Sequence, residues 1–373
     1  MNATLKKSIM YLYYRVFTQA CEKWFGQGFA RLLRENTNHG FSIEMLDRPN
    51  DLGYVGNNVL PINSHLENLP ALLNARKLPY WKKGRADFFY IYGTGYEFFK
   101  HQLLRVAKRK GIPKLLIEDG FLRSIDLPVY EAGVSLLLDD VGIYYDARSP
   151  SRLERLLNSD RKLTQEEAER ANRVMQQIRE TKITKYNLAP IYEPAIGRDG
   201  VKKVLVIDQA YQDASIPFGL ASDESFSNML QAAIDENPEA DIIVKTHPEA
   251  SRGMRKGYFT ELKENDRIHR FTEMICPLSL LEYVDKVYCV TTQMGFEALM
   301  CGKEVVCFGM PFYAGWGLTD DRVECPRRQK KRSLEEVFHF AYIEYTRYMD
   351  PRTSARCEVE AAIDYLVEKR GLK

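Results

Sequence analysis

No stretch of the chain reaches the ~18 consecutive apolar residues that a membrane-spanning helix needs. Excess charge is also missing. There are 53 Lys and Arg against 51 Asp and Glu, a formal net charge of +2. No overall field therefore argues for nucleic acid as a partner. The seven cysteines, Cys21, Cys276, Cys289, Cys301, Cys307, Cys325 and Cys357, form no C-x-x-C pair. That removes the usual zinc and dithiol patterns, and the odd, scattered set suits a reducing compartment. A D-x-D triplet, a Walker A loop and a complete G-x-G-x-x-G are absent too. "YGTGYEFF" supplies G-x-G alone. The sequence thus offers no metal ligand set and no cofactor motif.

The start, "KKSIMYLYYRVF", is basic and then apolar. Arg15 interrupts it and no small-residue cleavage site follows, so it does not read as a signal peptide. Residues 1–36 carry six Lys or Arg against two Glu, with aromatics interleaved. Two readings stand: an amphipathic helix lying on a membrane surface, or a helix packed on the body of the protein. A second basic run, "RRQKKR" at 327–332, is either a solvated loop or a further membrane contact.

At 373 residues the chain is long for one core and suits two domains of ~150–200 residues. From residue 85 onward, strand-like and helix-like stretches alternate. "ADFFYIYG", "PKLLIEDG", "VSLLLDD" and "GIYYDA" read as strands. "YEFFKHQLLRVAKRKG" and residues 163–181 read as helices, and "SPSRLERLLNS" as a helix capped by Ser149. After 182–200, rich in Pro and Gly, a second series begins. "KKVLVID", "ADIIVKTHP", "KVYCVTT" and "EVVCFG" read as strands, separated by helices. Strict alternation predicts parallel sheets covered by helices, hence an α/β fold with two facing Rossmann-like domains. The expected divisions are a variable helical region over 1–84, a first domain over 85–190, a second over 191–340, and C-terminal helices over 341–373 that cross back.

In open α/β sheets ligands bind at the carboxyl ends of strands, and the polar clusters fall there. Thr291 and Thr292 lie between a strand and a helix, where hydroxyls and free N–H groups can hold an anion; a plain N-cap is the alternative. Glu297 lies one turn further on, suited to a ribose diol or to an ordinary exposed helix face. His247, fixed by Pro248, can donate to a phosphate oxygen, with Lys245 on the same face. Glu118 and Asp119 precede Gly120 at another strand end, as an acid/base pair or a turn cap. Gln209 and Asp213 follow the second domain's first strand. Carboxylates beside a phosphate site suit glycosyl transfer through an oxocarbenium-like transition state.

The combination of Glu-Asp-Gly, His-Pro and a Thr pair resembles bacterial CMP-sialic acid transferases. The longer strings "IEDGFLRS", "KITKYN", "DQAYQDASIPFGLA", "VKTHPEASRGMRKGY", "VTTQMGFEAL" and "CFGMPFYAGWGLTDDR" resemble the capsule polysaccharide biosynthesis proteins of the KpsC type. The likeness runs from about residue 85 to the end. It implies a GT-B-type retaining β-Kdo transferase that takes CMP-Kdo, without a metal, to a glycan or glycolipid acceptor. The location implied is cytoplasmic, with possible contact to the inner membrane. By position, it implies Asp213 as nucleophile, Glu118 as acid/base and Asp119 as its positioning partner. His247, Pro248, Thr291, Thr292 and Glu297 match the CMP site. Lys185, Tyr186, Arg252, Lys256, Tyr313 and Trp316 lie in family strings and are candidates for donor or acceptor contacts. "YGTGYEFF" replaces the family's Trp-Gly-x-Lys string and the first 80 residues differ, which leaves the acceptor open. An inverting CMP-sialic acid transferase, with Asp119 as direct base, is the alternative enzyme. A capsule-assembly scaffold is the non-enzyme reading.

Overall fold

The structure, a computed structural model, describes residues 31–35, 41–47, 52–56, 72–93, 98–127, 131–247, 250 and 255–371. In chain order come β1 (Gly53–Gly56), β2 (Arg76–Lys77), β3 (Phe88–Tyr92), α1 (Phe98–Lys110), β4 (Lys114–Asp119) and β5 (Ser135–Asp139). Next are α2 (Arg152–Asn158), α3 (Gln165–Thr181), β6 (Lys203–Ile207), a single turn over Ser215–Phe218, α4 (Asp223–Glu236), β7 (Asp241–Lys245) and β8 (Ile268–Phe271). Then follow α5 (Pro277–Tyr283), β9 (Lys286–Cys289), α6 (Met294–Met300), β10 (Glu304–Cys307), β11 (Asp320–Asp321) and α7 (Leu334–Phe338). A π-helical stretch, His339–Tyr345, leads to β12 (Thr346–Asp350), β13 (Ala355–Cys357) and α8 (Val359–Gly371).

Two compact units result. The first holds the described residues up to Gly120, with Leu127–Ile143 and Thr346–Glu358; the second holds Phe121–Asp126, Tyr144–Tyr345 and Val359–Lys373. This division differs from a boundary near residue 190. The apolar stripe of α3, Ala171, Val174, Met175 and Ile178, is buried at helical spacing, and its polar face is tied within the second unit. Arg170 pairs with Glu360 at 2.8 Å, and Arg179 donates to the Met300 carbonyl at 3.0 Å. The segment after 341 is likewise divided: β12 and β13 join the first unit's sheet, while α8 belongs to the second unit.

The second unit's sheet, ordered β11-β10-β9-β6-β7-β8, is parallel throughout. Its inner strands β6 and β7 are buried along their whole length, as strands covered on both faces must be. The first sheet, β13-β12-β5-β4-β3-β1-β2, is parallel only from β2 to β4. β5, β12 and β13 pair antiparallel, so the strictly parallel expectation fails at this edge. A parallel link needs a crossover element, and no helix lies between β4 and β5 among the described residues.

"GIYYDA" is not a strand either. The Asp139 carboxylate accepts the N–H groups of Val141 and Gly142, each at 2.8 Å, and turns the chain. Tyr144 then packs on Phe121 and Phe312 instead of entering a ladder. The cap of α2 is Ser151, not Ser149: its side chain accepts the Glu154 N–H at 3.0 Å. The helix begins only at Arg152, so Pro150 precedes the cap and Ser149 lies too early to reach its first turn.

Candidate functional site

Sheet order gathers the second unit's polar segments. β6 lies between β9 and β7, so the chain ends after these three strands carry Thr291, Asp208 to Asp213, and His247 on adjacent strands. Asp208 is 3% exposed and accepts the N–H groups of Gln209 at 2.8 Å and Tyr258 at 2.9 Å. Burial pushes its carboxyl above the usual aspartate value, and these backbone donors pull it back. A Cβ on Gly257 would overlap this carboxylate, so only glycine lets the two segments approach. Around this contact the Tyr211 N–H donates to the Lys256 carbonyl at 2.8 Å, and Arg255 donates to the carbonyls of Tyr211 and Gln212. The Lys256 side chain is exposed.

Gln212, with φ +60°, turns the chain into Asp213. Oδ1 of the half-buried Asp213 accepts both the N–H of Ser215 (2.8 Å) and its hydroxyl (2.7 Å). Ser215 Oγ lies 3.0 Å from Thr291 Oγ1. The Gln209 amide closes the set: Oε1 accepts the Thr291 N–H at 2.9 Å, and Nε2 donates to Thr291 Oγ1 at 3.0 Å. Asp213, Ser215, Thr291 and Gln209 thus form one connected group. Ser215 had no mark in the sequence, because a serine after Asp-Ala is unremarkable until the helical turn folds it back.

His247 is half-buried, and its carbonyl accepts the Ala250 N–H at 2.9 Å. Pro248 and Arg252 lie outside the described residues. Lys245 does not extend toward an anion: it is 8% exposed, and its ammonium donates to the carbonyls of Thr246 (3.1 Å) and Glu273 (3.0 Å). Burial lowers it to about 8. The Thr292 hydroxyl accepts the Met294 N–H at 3.3 Å. Glu297, one turn along α6, is 4% exposed, so this conformation does not offer it as an open ribose ligand. Its carboxylate accepts from Gln293 Nε2 at 3.2 Å; burial raises it to about 7, and the Lys185 charge pulls it back. The same Nε2 donates to the Phe121 carbonyl at 2.9 Å. The Lys185 carbonyl accepts the N–H groups of Arg123 and Ser124, and Tyr186 bridges to Ser124.

In the first unit, Glu118 and Asp119 close β4. Consecutive strand residues face opposite sides, so the pair does not share one pocket: Asp119 is buried and Glu118 half-buried. Glu118 Oε1 accepts the Asp119 N–H at 3.1 Å. Gly120 follows where a Cβ would overlap Ser135 of β5. Glu118 is therefore the reachable carboxylate of the two.

The profile described as "Capsule polysaccharide biosynthesis protein" matches residues 91–348. The chain belongs to that family. The matched span includes Glu118, Asp119 and every member of the Asp213 group. Capsule polysaccharide modification protein LipA of Neisseria meningitidis serogroup B is 42% identical over 288 residues, covering 74% of this chain and 41% of LipA. The chain thus spans about two fifths of that relative. Lipopolysaccharide-processing protein LpsZ of Rhizobium meliloti is 37% identical over 309 residues, 78% of this chain and 68% of LpsZ. Among solved structures, the β-Kdo 2,4 transferase of Thermosulfurimonas dismutans KpsC is 40% identical with a TM-score of 0.78, over 84% of this chain and 97% of that one. The KpsC β-Kdo 2,7 transferase is 30% identical with a TM-score of 0.62, over 86% and 100%. The α/β class with two Rossmann-like units of the GT-B type holds.

Two residues in the family strings have a different role from the contacts expected. Tyr313 is fully buried; its hydroxyl donates to the Thr292 carbonyl at 2.7 Å and lies 3.4 Å from Cys289 Sγ. Trp316, 1% exposed, donates its indole N–H to the Phe312 carbonyl at 2.9 Å. Tyr313 supports the Thr-bearing loop from the core, and neither ring offers a surface to a sugar. The basic run at 327–332 is internal in part, with Arg328 and Arg332 buried and Lys331 exposed. Arg327 and Arg328 pair with the buried Glu154, and Arg332 is 4% exposed, holding the Leu157 carbonyl and Glu336. Lys330 pairs with Asp160. The three arginines of the run are thus engaged by partners within the second unit. Among the described residues no helix is long and apolar enough to cross one.

Proposed function

We propose that the chain is a retaining glycosyltransferase that moves β-Kdo from CMP-Kdo to a bacterial surface-glycan acceptor. The observation that carries this reading is the joined set of Asp213, Ser215, Thr291 and Gln209 at the ends of β6 and β9. It ties a carboxylate to the hydroxyls that suit a phosphate. Family membership and two KpsC β-Kdo transferases among the similar structures support the sugar assignment.

CMP-Kdo lies with its phosphate toward His247, Thr291 and Thr292, whose donors stabilise the charge that develops as CMP departs. The free oxygen of Asp213 bonds to the anomeric carbon. The bond from that carbon to the phosphate oxygen breaks, and CMP leaves with the electron pair. The acceptor hydroxyl then attacks the same carbon, its proton passes to a general base, and the Asp213 carboxylate is released. Two displacements return the original configuration. No step calls for a metal or a cofactor. The protein works on the cytoplasmic side, where a nucleotide sugar is supplied.

The test is intact mass after incubation with freshly generated CMP-Kdo. Wild type gains one Kdo on the peptide holding Asp213; Asp213→Asn gains none yet still binds CMP. A variant that keeps transfer within a few-fold of wild type removes Asp213 as nucleophile. CMP binding without any adduct shifts weight to an inverting transferase, and absence of CMP binding favours a scaffold.

A further inference from the structure

The string "RKLPYWKKGR", residues 76–85, holds five cations and no carboxylate. It runs from β2, the terminal strand of the first sheet, through the 3-10 turn Tyr80–Arg85. Arg76, Lys77, Lys82 and Arg85 are exposed, and Lys83 packs its ammonium 4.4 Å from the Tyr80 ring centre. Trp81 is 79% exposed, against 48% for Ile191, the next large apolar side chain among the described residues. The last turn of α1 adds Lys108, Arg109 and Lys110. Lys110 Nζ lies 3.5 Å from the Gly84 carbonyl, which fixes this helix end beside the turn.

Two nearby carboxylates have other partners. Asp87 accepts the Gly53 N–H at 2.7 Å, and Glu35 pairs with Lys108 at 3.1 Å. Arg76, Lys77, Lys82, Lys83, Arg85, Arg109 and Lys110 make no ion pair among the described residues. Cations on an edge strand do deter strand addition, but that leaves Trp81 unexplained. A headgroup layer accommodates both, because indole rings settle at the membrane–water interface and clustered Lys and Arg are drawn to anionic lipid.

We propose that this edge of the first unit docks on an anionic lipid bilayer, with Trp81 entering the headgroup region. The surface is distinct from 1–36 and 327–332, and the proposal does not rest on the transferase reading.

Full-length protein would be floated with phosphatidylcholine vesicles and with vesicles of equal parts phosphatidylcholine and phosphatidylglycerol. Indole fluorescence would be read with a lipid brominated in its acyl chain. Wild type is expected to float with the anionic vesicles alone, and its fluorescence to be quenched. The triple variant Lys82→Glu, Lys83→Glu, Arg85→Glu should bind at least about tenfold more weakly. Trp81→Phe should lose the quenched component. All these side chains are on the surface, so unchanged melting temperatures would show that the variants fold. Equal flotation of the triple variant and wild type overturns the proposal, as does failure of wild type to bind. Loss of binding through Lys6→Glu, Lys7→Glu, Arg15→Glu instead would place the contact at the N-terminus and overturn it too. Charge-dependent binding to dextran sulfate as tight as to vesicles, without quenching, would identify a polyanion partner and refute the lipid assignment.

Discussion

Two donors of Ser215, its N–H and its hydroxyl, converge on one oxygen of Asp213 at 2.8 and 2.7 Å. A carboxylate held at one oxygen keeps a fixed aim for the other, a requirement of attack at a single carbon. The hydroxyl also touches Thr291, so the proposed nucleophile and the proposed leaving-group site share a partner. A hydrogen bond to a charged group contributes on the order of 1.5–3 kcal/mol. Ser215→Ala is expected to lower kcat by about ten- to a hundredfold with little change in the KM for donor. Ser215→Thr should recover most of the loss. Steady-state kinetics decide it: a rise in KM with kcat intact would make Ser215 a plain donor-binding residue. The sequence marked Gln209 and Asp213 through the string they share with the family. It left Ser215 silent, because its role exists only once Ser215–Phe218 forms a turn. Tyr313 and Trp316 misled for the opposite reason. An aromatic in a shared string reads as sugar-facing, while burial depends on neighbours elsewhere along the chain such as Cys289 and Arg328.

At the scale of elements, apolar runs made the central strands legible. β6, β7, β9 and β10 are short, β-branched and punctuated by turns, and each lies within the stretch the sequence assigned. β12, "TRYMD", was not legible: it is polar in composition yet buried throughout, because Arg347 reaches Asp47 and the Leu72 and Ile43 carbonyls. Short α6 shows a related effect. Its position suggested an exposed Glu297, yet Glu297 is enclosed and its carboxyl rises from 4.5 to about 7. A folded-state value above the unfolded one favours folding most below pH ~4.5, and that contribution is lost as pH rises through ~7. Glu297→Gln, which keeps an acceptor for Gln293, removes the charge. Its melting temperature should match wild type near pH 5 and exceed it by a few degrees at pH 8. Melting curves across that range check the sign. A variant less stable than wild type at pH 8 would mean that the ionised carboxylate is a net stabiliser through Lys185.

For the whole molecule, the course of the chain matters more than its length. Sequence punctuation at 182–200 marked a linker, and the stretch does precede β6. It does not divide the units, which exchange chain at 120, 126, 143, 345 and 358. Periodicity reports each element's apolar face but not which sheet receives it, so α2 and α3 were assigned to the wrong partner. The second unit depends on those early helices. Glu154 of α2 is buried against Arg327 and Arg328, Arg170 of α3 pairs with Glu360 of α8, and Phe121 stacks on Tyr342 at 4.7 Å. A fragment limited to 191–340 would leave Arg328 without its buried carboxylate and expose the aromatic cluster around Phe296 and Phe312. An uncompensated buried charge alone costs about 3–5 kcal/mol, a large share of a typical domain's stability. The fragment is therefore expected to show no cooperative thermal transition and no CMP binding, whereas the full chain shows both. A fragment that melts cooperatively and binds CMP as the full chain does would mean that the parallel sheet and its own helices suffice, and that α2, α3 and α8 are additions to an independent donor domain.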